Sequence, residues 1–183
     1  MSRQDDERDS IAQFIEGWRA ERPDLDPWPL GIIGRVPRIY AHVQRQAERW
    51  LAPLGLTWET FSVIVALRRS GNPYELNPTE LQRQSLLTSG AMTNRIDRVE
   101  ALGLVERRAD PEDRRGIRVR LTTRGRQIAD KAIAAHFRET ALLLGGISRG
   151  EARTLSALLA KLLCSLEGGA AGPALAKKRR RRA

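Results

Sequence analysis

Residues 77–125 read NPTELQRQSLLTSGAMTNRIDRVEALGLVERRADPEDRRGIRVRLTTRG, and the order of signals along this stretch decides the fold. Asn77-Pro78-Thr79-Glu80 is a helix start. It offers a capping side chain, a proline at the first helical position and a glutamate placed to return the capping bond. That helix is short, ending near residues 85–87. Thr88 opens a second helix running to Gly103, a residue that ends helices because it takes a left-handed backbone cheaply. Beyond Gly103 the apolar period changes to two. Leu104-Val105-Glu106-Arg107-Arg108 is one strand, and Ile117, Val119 and Leu121 alternate with Arg118, Arg120 and Thr122 in another. Residues 109–116, with Pro111 and several charges, connect them. Helix, turn, helix and hairpin in this order predict a mainly α chain with a small β-hairpin wing, a winged helix-turn-helix. In that fold the second helix enters the major groove of DNA and the wing reaches toward a minor groove.

The helix from Thr88 can be tested for this role. Met92, Ile96, Val99 and Leu102 form one apolar stripe, while Gly90, Ala91, Thr93, Asn94, Asp97 and Arg98 fall on the opposite face. Small residues there let the backbone approach base edges, and Asn94 can both donate to and accept from an adenine. Thr79, Arg83, Gln84 and Arg95 lie where phosphate contacts position such a helix; Ser89 completes its N-terminal contact set. An ordinary surface helix has a similar polar face, so this helix alone does not decide the matter. The hairpin adds weight. Six arginines lie from Arg107 to Arg120, with Arg114 and Arg115 at the tip, where a narrow minor groove attracts them.

Working outward, residues 1–8 are charged, lack an apolar period and are expected to be disordered. Asp9 or Ser10 caps a short helix carrying Ile11, Phe14, Ile15 and Trp18 on one side. A long helix follows from Leu30 to Leu51, with Pro37 either kinking it or marking where it becomes regular. Thr57 caps a helix that turns Phe61, Ile64, Val65 and Leu67 inward. A long helix from Thr123 carries Ile128, Ala132, Ile133, Phe137, Ala141 and Leu144, and Gly145-Gly146 breaks it. Ser148-Arg149-Gly150-Glu151 is a second capping box, opening a Leu-rich helix. The resulting organisation is residues 9–55 as N-terminal helices, 56–122 as the DNA-binding domain, 123–167 as C-terminal helices, and 168–183 as a disordered basic tail.

Composition narrows the class. The chain has 183 residues and a net charge of +10, but six of those charges come from Lys177, Lys178, Arg179, Arg180, Arg181 and Arg182. Overall charge is therefore weak support for nucleic acid, and the tail would add salt-sensitive, non-specific DNA affinity. No apolar run approaches the ~20 residues of a membrane span, and no secretory leader opens the chain. The single cysteine, Cys164, rules out an internal disulfide framework, and a cytoplasmic protein is expected. Cys164 sits among leucines, where a thiol packs more often than it senses. His42 and His136 are the only histidines and have no second ligand at metal spacing. No nucleophile elbow, phosphate-cradling glycine loop or paired carboxylate motif is present. Neither an enzyme nor a cofactor or metal site is expected.

The stretch TELQRQSLLTSGAMTNRIDRVEALGLV followed by ERRADPEDRRGIRVRLTTRG resembles the multiple-antibiotic-resistance regulator (MarR) family over roughly Leu30–Leu166. DPEDRRGIRVRLTTRG is the most specific part, matching that family's wing. The resemblance implies a homodimer, joined through the first long helix and the two C-terminal helices, on a pseudo-palindromic double-stranded DNA operator. It also implies that Asp113 is the wing's structural acid, that Arg115 is its minor-groove arginine, and that Gly90, Ala91 and Asn94 face bases. IEGWRAERPDLDPWPLGIIGRVPRIY is similar to the subgroup of urate-responsive and PecS-type regulators, which carry an extra N-terminal helix with a tryptophan, matched by Trp18. In urate-type members a pocket aspartate stands where this chain has Ser62, which argues against urate. A small aromatic acid, phenolic or indolic, fits better, with tryptophan to stack and arginine to pair a carboxylate. Candidate lining residues are Trp18, Trp28, Arg35, Arg38, His42, Trp58 and Ser62, although each tryptophan could equally be a core or interface residue. A ligand lodged there would favour a spacing of the reading helices that no longer matches the operator, repression being relieved as a result. A DNA-binding or architectural protein with no effector is the main alternative.

Overall fold

The computed structural model describes residues 9–85, 92–111, 113 and 116–168. Asp9 caps the first helix, α1 (Ser10–Glu21), its Oδ1 accepting from the Ile11 and Ala12 N–H groups. The Arg35 guanidinium beside Asp9, and then the Ala12 N–H, hold that carboxyl below its usual range. Within α1 only Ile11 is buried; Phe14 and Trp18 are exposed.

The expected long helix is two pieces, α2 (Leu30–Ile33) and α3 (Arg35–Leu51), meeting at Gly34. Pro37 is not the break. It is the third residue of α3, within the first turn, where a backbone N–H has no intrahelical partner to lose. A 3-10 turn, Ala52–Leu54, leads to α4 (Trp58–Arg69). Thr57 starts α4 with a reciprocal capping box to Thr60. Seven of its twelve residues are buried, making α4 the central element of the core.

The capping box at Asn77 forms as expected, the Glu80 N–H donating to Asn77 Oδ1 at 2.8 Å and the Asn77 N–H to Glu80 Oε2 at 3.0 Å. It opens α5 (Pro78–Gln84), and α6 (Met92–Ala101) follows. The expected start of that second helix at Thr88 lies outside the described residues. Met92, Ile96 and Val99 are buried as the stripe predicted, but Leu102 is 37% exposed because α6 ends one residue earlier. Gly103, at φ +68, turns the chain into the hairpin.

The strands are β2 (Val105–Ala109) and β3 (Ile117–Leu121), paired antiparallel with Val105 opposite Leu121 and Ala109 opposite Ile117. A third strand, β1 (Glu75–Leu76), pairs with the other edge of β3, giving the order β1-β3-β2. Two residues are too few to show a period in sequence. Helix α7 (Thr123–Leu143) begins against the hairpin. Its Gly125 lies so close to the Leu104 carbonyl that an added Cβ would sit 1.9 Å from the oxygen. Ala129 and Ala132 of α7 join Ala47 and Leu51 of α3 in the core around α4.

Contacts divide the chain into two units at Glu139/Thr140. In the second, Ser148 and Glu151 form the expected capping box, opening α8 (Arg149–Gly168). Leu155, Leu158, Leu159, Leu163 and Leu166 of α8 are all exposed. Cys164, expected to pack, is exposed with them.

Candidate nucleic-acid interface and effector cavity

Thr93, Asn94, Asp97 and Arg98 are exposed on α6 opposite its buried stripe, with Arg95 half-buried beside them. Thr79 and Arg83 are exposed on α5. The expected contacts Ser89, Gly90, Ala91, Arg114 and Arg115 lie outside the described residues. Glu59, in the first turn of α4, is held below the usual carboxylate range by its own N–H and the Thr57 hydroxyl, with Arg95 and Arg98 adding to the effect. This places the two α6 arginines near the capped start of α4.

The hairpin arginines do not all serve as free cations. Arg107 of β2 reaches back to α6, pairing with both Asp97 and Glu100, while its N–H donates to Glu100 Oε1 at 3.1 Å. Arg108 pairs with Glu106 at 2.6 Å and Arg118 with Asp110 at 3.0 Å. The Asp110 side chain is only 8% exposed, and the Asp110 N–H donates to the Gly116 carbonyl. Asp113, the acid expected to organise the wing, contributes its carbonyl to the Gly116 N–H at 2.8 Å. Three of the hairpin's six arginines, Arg107, Arg108 and Arg118, thus have acid partners, and the Arg107 pairs fix β2 against α6.

The candidate ligand residues separate into three places. Trp58 and Ser62 line a cavity of about 210 Å³. Arg35, Arg38 and His42 lie one and two turns apart on α3, in a second recess of about 310 Å³ with Asp9, whose Oδ2 accepts from Arg35 Nε at 2.8 Å. Trp18 and Trp28 line neither of these and are 54% and 63% exposed.

The Trp58 cavity follows from helix geometry. Positions 58, 61, 62, 65, 66 and 69 of α4 form one helical stripe along its wall. Ile133, His136 and Phe137 of α7 face them, and Gln84 and Ser85 close the α5 end. Gln84, expected on a phosphate, also lines this cavity. The wall is aromatic: the His136 ring lies 5.2 Å from Phe61, 6.0 Å from Trp58 and 6.2 Å from Trp50, centroid to centroid. Burial pushes the His136 imidazole below its ordinary value. The indole N–H of Trp58 is buried without a hydrogen-bond partner in the protein, a deficit that costs roughly 1–3 kcal/mol unless something fills it. Ser62 donates its hydroxyl to the Trp58 carbonyl at 2.8 Å. At the rim, Arg69 Nη2 donates to the Gln84 carbonyl at 2.6 Å. Phe61, Arg69, Ser85, Ile133, His136 and Phe137 were not among the ligand residues expected from sequence. The available signal was the helical spacing of Trp58, Phe61 and Ser62, extended by one turn to Val65 and by two to Arg69.

Among the described residues there is no group of three or more histidine, cysteine or acidic side chains fit to hold a metal ion, and no single helix long and apolar enough to cross a membrane.

Comparison with known proteins agrees with this geometry. The MarR family model matches residues 54–116. The chain is 28% identical to the transcriptional regulator PecS of Dickeya dadantii, over 83% of this chain and 92% of that one. With the multiple antibiotic resistance protein MarR of Escherichia coli it shares 31% identity, over 74% of this chain and 91% of the relative. Among solved structures, a cysteine-to-serine mutant of E. coli MarR in complex with operator DNA superposes with a TM-score of 0.64 at 28% identity, covering 80% of this chain and 97% of that one. An organohalide-sensing RdhR regulator in its 2,4-dichlorophenol-bound form shares the fold, with a TM-score of 0.68 at 21% identity over 77% and 82% of the two chains. The chain belongs to the MarR family of transcriptional regulators, DNA-binding proteins and not enzymes.

Proposed function

We propose that the protein is a homodimeric repressor that grips a pseudo-palindromic operator and releases it when a small aromatic acid enters the Trp58 cavity. The observation that carries the effector is the cavity itself. Its aromatic walls join α4 to α7, and its far end is the last turn of α5. An aromatic ring fits such walls. The 2,4-dichlorophenol held by the RdhR regulator is a small aromatic of this kind.

Dimerisation is supported by apolar surface that a monomer leaves in water. Trp28 in the turn before α2, Ile33 and Ile39 on α2 and α3, and Leu158, Leu163 and Leu166 on α8 are each more than half exposed. Residues 9–55 and 123–167 would then supply the dimer contacts and 56–122 the DNA contacts. Two α6 helices in one dimer meet successive major grooves about one DNA turn apart. The ligand acts only through tighter binding to a conformation whose helix spacing misses the operator.

The test selects a duplex from a random pool with the purified protein and titrates benzoate and indole-3-carboxylate into the complex. Release by an aromatic acid is expected. If no acid releases the DNA, the protein is a constitutive regulator without an effector. Trp58→Ala should weaken release while leaving DNA affinity largely intact.

A further inference from the structure

We infer that Arg69 recognises the effector's acid group and transmits its arrival to the DNA-reading half of the motif; this rests on the effector reading above and adds to it the residue that couples cavity to helix. Three observations converge on this side chain. Arg69 lines the cavity, at the last position of the α4 stripe that begins with Trp58. It is the arginine among the cavity's lining residues, so it is the fixed positive charge available to an anionic ligand there. And its Nη2 donates to the carbonyl of Gln84 at 2.6 Å, across fifteen residues of sequence.

The Gln84 carbonyl is the exposed end of a helix. Gln84 is the last residue of α5, and Ser85, its C-cap, is 9% exposed and also lines the cavity. Final-turn carbonyls of a helix lack intrahelical donors, and a guanidinium at that end satisfies one and complements the helix dipole. Arg69 therefore pins the end of α5 to the end of α4. From α5 the chain continues toward α6, which presents Thr93, Asn94 and Arg98. The pinned end of α5 is therefore the end that faces α6 along the chain.

A carboxylate in the cavity changes this contact. An arginine fork can bind an ionised carboxylate through two parallel charge-assisted bonds, where the Gln84 carbonyl takes one from Nη2. The arriving acid draws the guanidinium toward itself and away from Gln84, so part of the binding energy is spent on freeing the α5 end. A neutral aromatic of the same shape fills the walls without recruiting Arg69. The cavity then distinguishes two chemical classes: aromatic acids, which bind and signal, and their amides, which bind more weakly and do not.

The experiment compares benzoate with benzamide, and indole-3-carboxylate with its carboxamide, by calorimetry on the parent protein and on Arg69→Gln and Arg69→Lys. Hydrogen exchange at the Leu81–Ser85 amides is followed in parallel. The parent should prefer each acid by at least about tenfold, the scale of one charge-assisted bond, and each acid should speed exchange at the α5 end. Arg69→Gln should bind the amides as the parent does, lose the preference for acids and show no acid-dependent exchange. Arg69→Lys, which keeps the charge but not the fork, should recover part of the preference. Acid preference and acid-dependent exchange that persist in Arg69→Gln would overturn the role of Arg69 and leave the effector cavity standing. A parent protein that binds neither acids nor amides would overturn both.

Discussion

Gly125→Ala tests how tightly the DNA-binding lobe is joined to α7. An alanine Cβ at this position would lie 1.9 Å from the Leu104 carbonyl oxygen, 2.8 Å from its carbon and 3.2 Å from the Leu104 Cα. These are backbone atoms and no rotamer change relieves them. Restoring contact distance requires a separation of over an ångström at a junction tied by several hydrogen bonds. The Thr122 N–H donates to Leu104 O at 3.0 Å, the Gly125 N–H to Thr122 Oγ1 at 2.9 Å, and that hydroxyl to Gly103 O at 2.9 Å. Overpacking of this kind costs about 1–3 kcal/mol, and each hydrogen bond lost adds about 1 kcal/mol. We expect a loss of about 3 kcal/mol, which lowers the Tm by roughly 6–12 °C for a chain of this length. Thermal denaturation followed by circular dichroism provides the measurement. Gly17→Ala is the control, because nothing lies within 4 Å of its added Cβ and alanine suits a helix interior better by about 0.5–1 kcal/mol. A Gly125→Ala protein melting within a degree or two of its parent would refute the close approach of α7 to the hairpin.

Three further outcomes follow from the structure. Arg107→Ala should cost at most about 1–2 kcal/mol of stability, since its pairs with Asp97 and Glu100 are partly exposed. It should weaken DNA binding by more, about tenfold at low salt, because two carboxylates are left uncompensated beside the phosphates; fluorescence anisotropy showing parental affinity would remove the clamp from the account. Burial lowers the His136 value, so the unfolded chain binds this proton more readily, and stability should fall as pH drops below the ordinary value of about 6.5 toward the lowered native one. Urea denaturation between pH 7 and 5 should show a flatter slope for His136→Phe; an unchanged slope would contradict the assignment. Asn94→Ala should cost about 1–3 kcal/mol on the selected duplex and relax base preference at one position, and a repeated selection returning the same consensus would exclude Asn94 from base reading.

Much of the fold was legible because it is written in local chemistry. The caps at Asp9, Thr57, Asn77 and Ser148 form where the sequence places them, and the change from helical to alternating period after Gly103 marks the hairpin. Where reading failed, a local signal competed with a tertiary one. The sequence left open whether Pro37 kinks the helix or marks its regular start; Pro37 lies in the first turn of α3, and the break falls at Gly34. Strand β1 is two residues long and exists because Tyr74, Glu75 and Leu76 meet the free edge of β3. Candidate site residues were harder. Exposure along α6 followed from its apolar stripe, whereas the ligand set combined residues from separate places. Trp58 and Ser62 share a wall; Trp18 and Trp28 do not reach it. The far wall comes from α7, some seventy residues away in sequence, and nothing in the period of α7 announces that His136 closes onto Trp58. The ion pairs of Arg107, Arg108 and Arg118 were not legible either, since pairing depends on which acids the hairpin brings alongside.

Stoichiometry on DNA tests the central claim most directly. Sedimentation of the protein with its selected duplex at moderate ionic strength should give two chains per duplex, on a site with inverted half-sites about one helical turn apart. A single chain bound to an asymmetric site, or no preference for any duplex over random sequence, would contradict it.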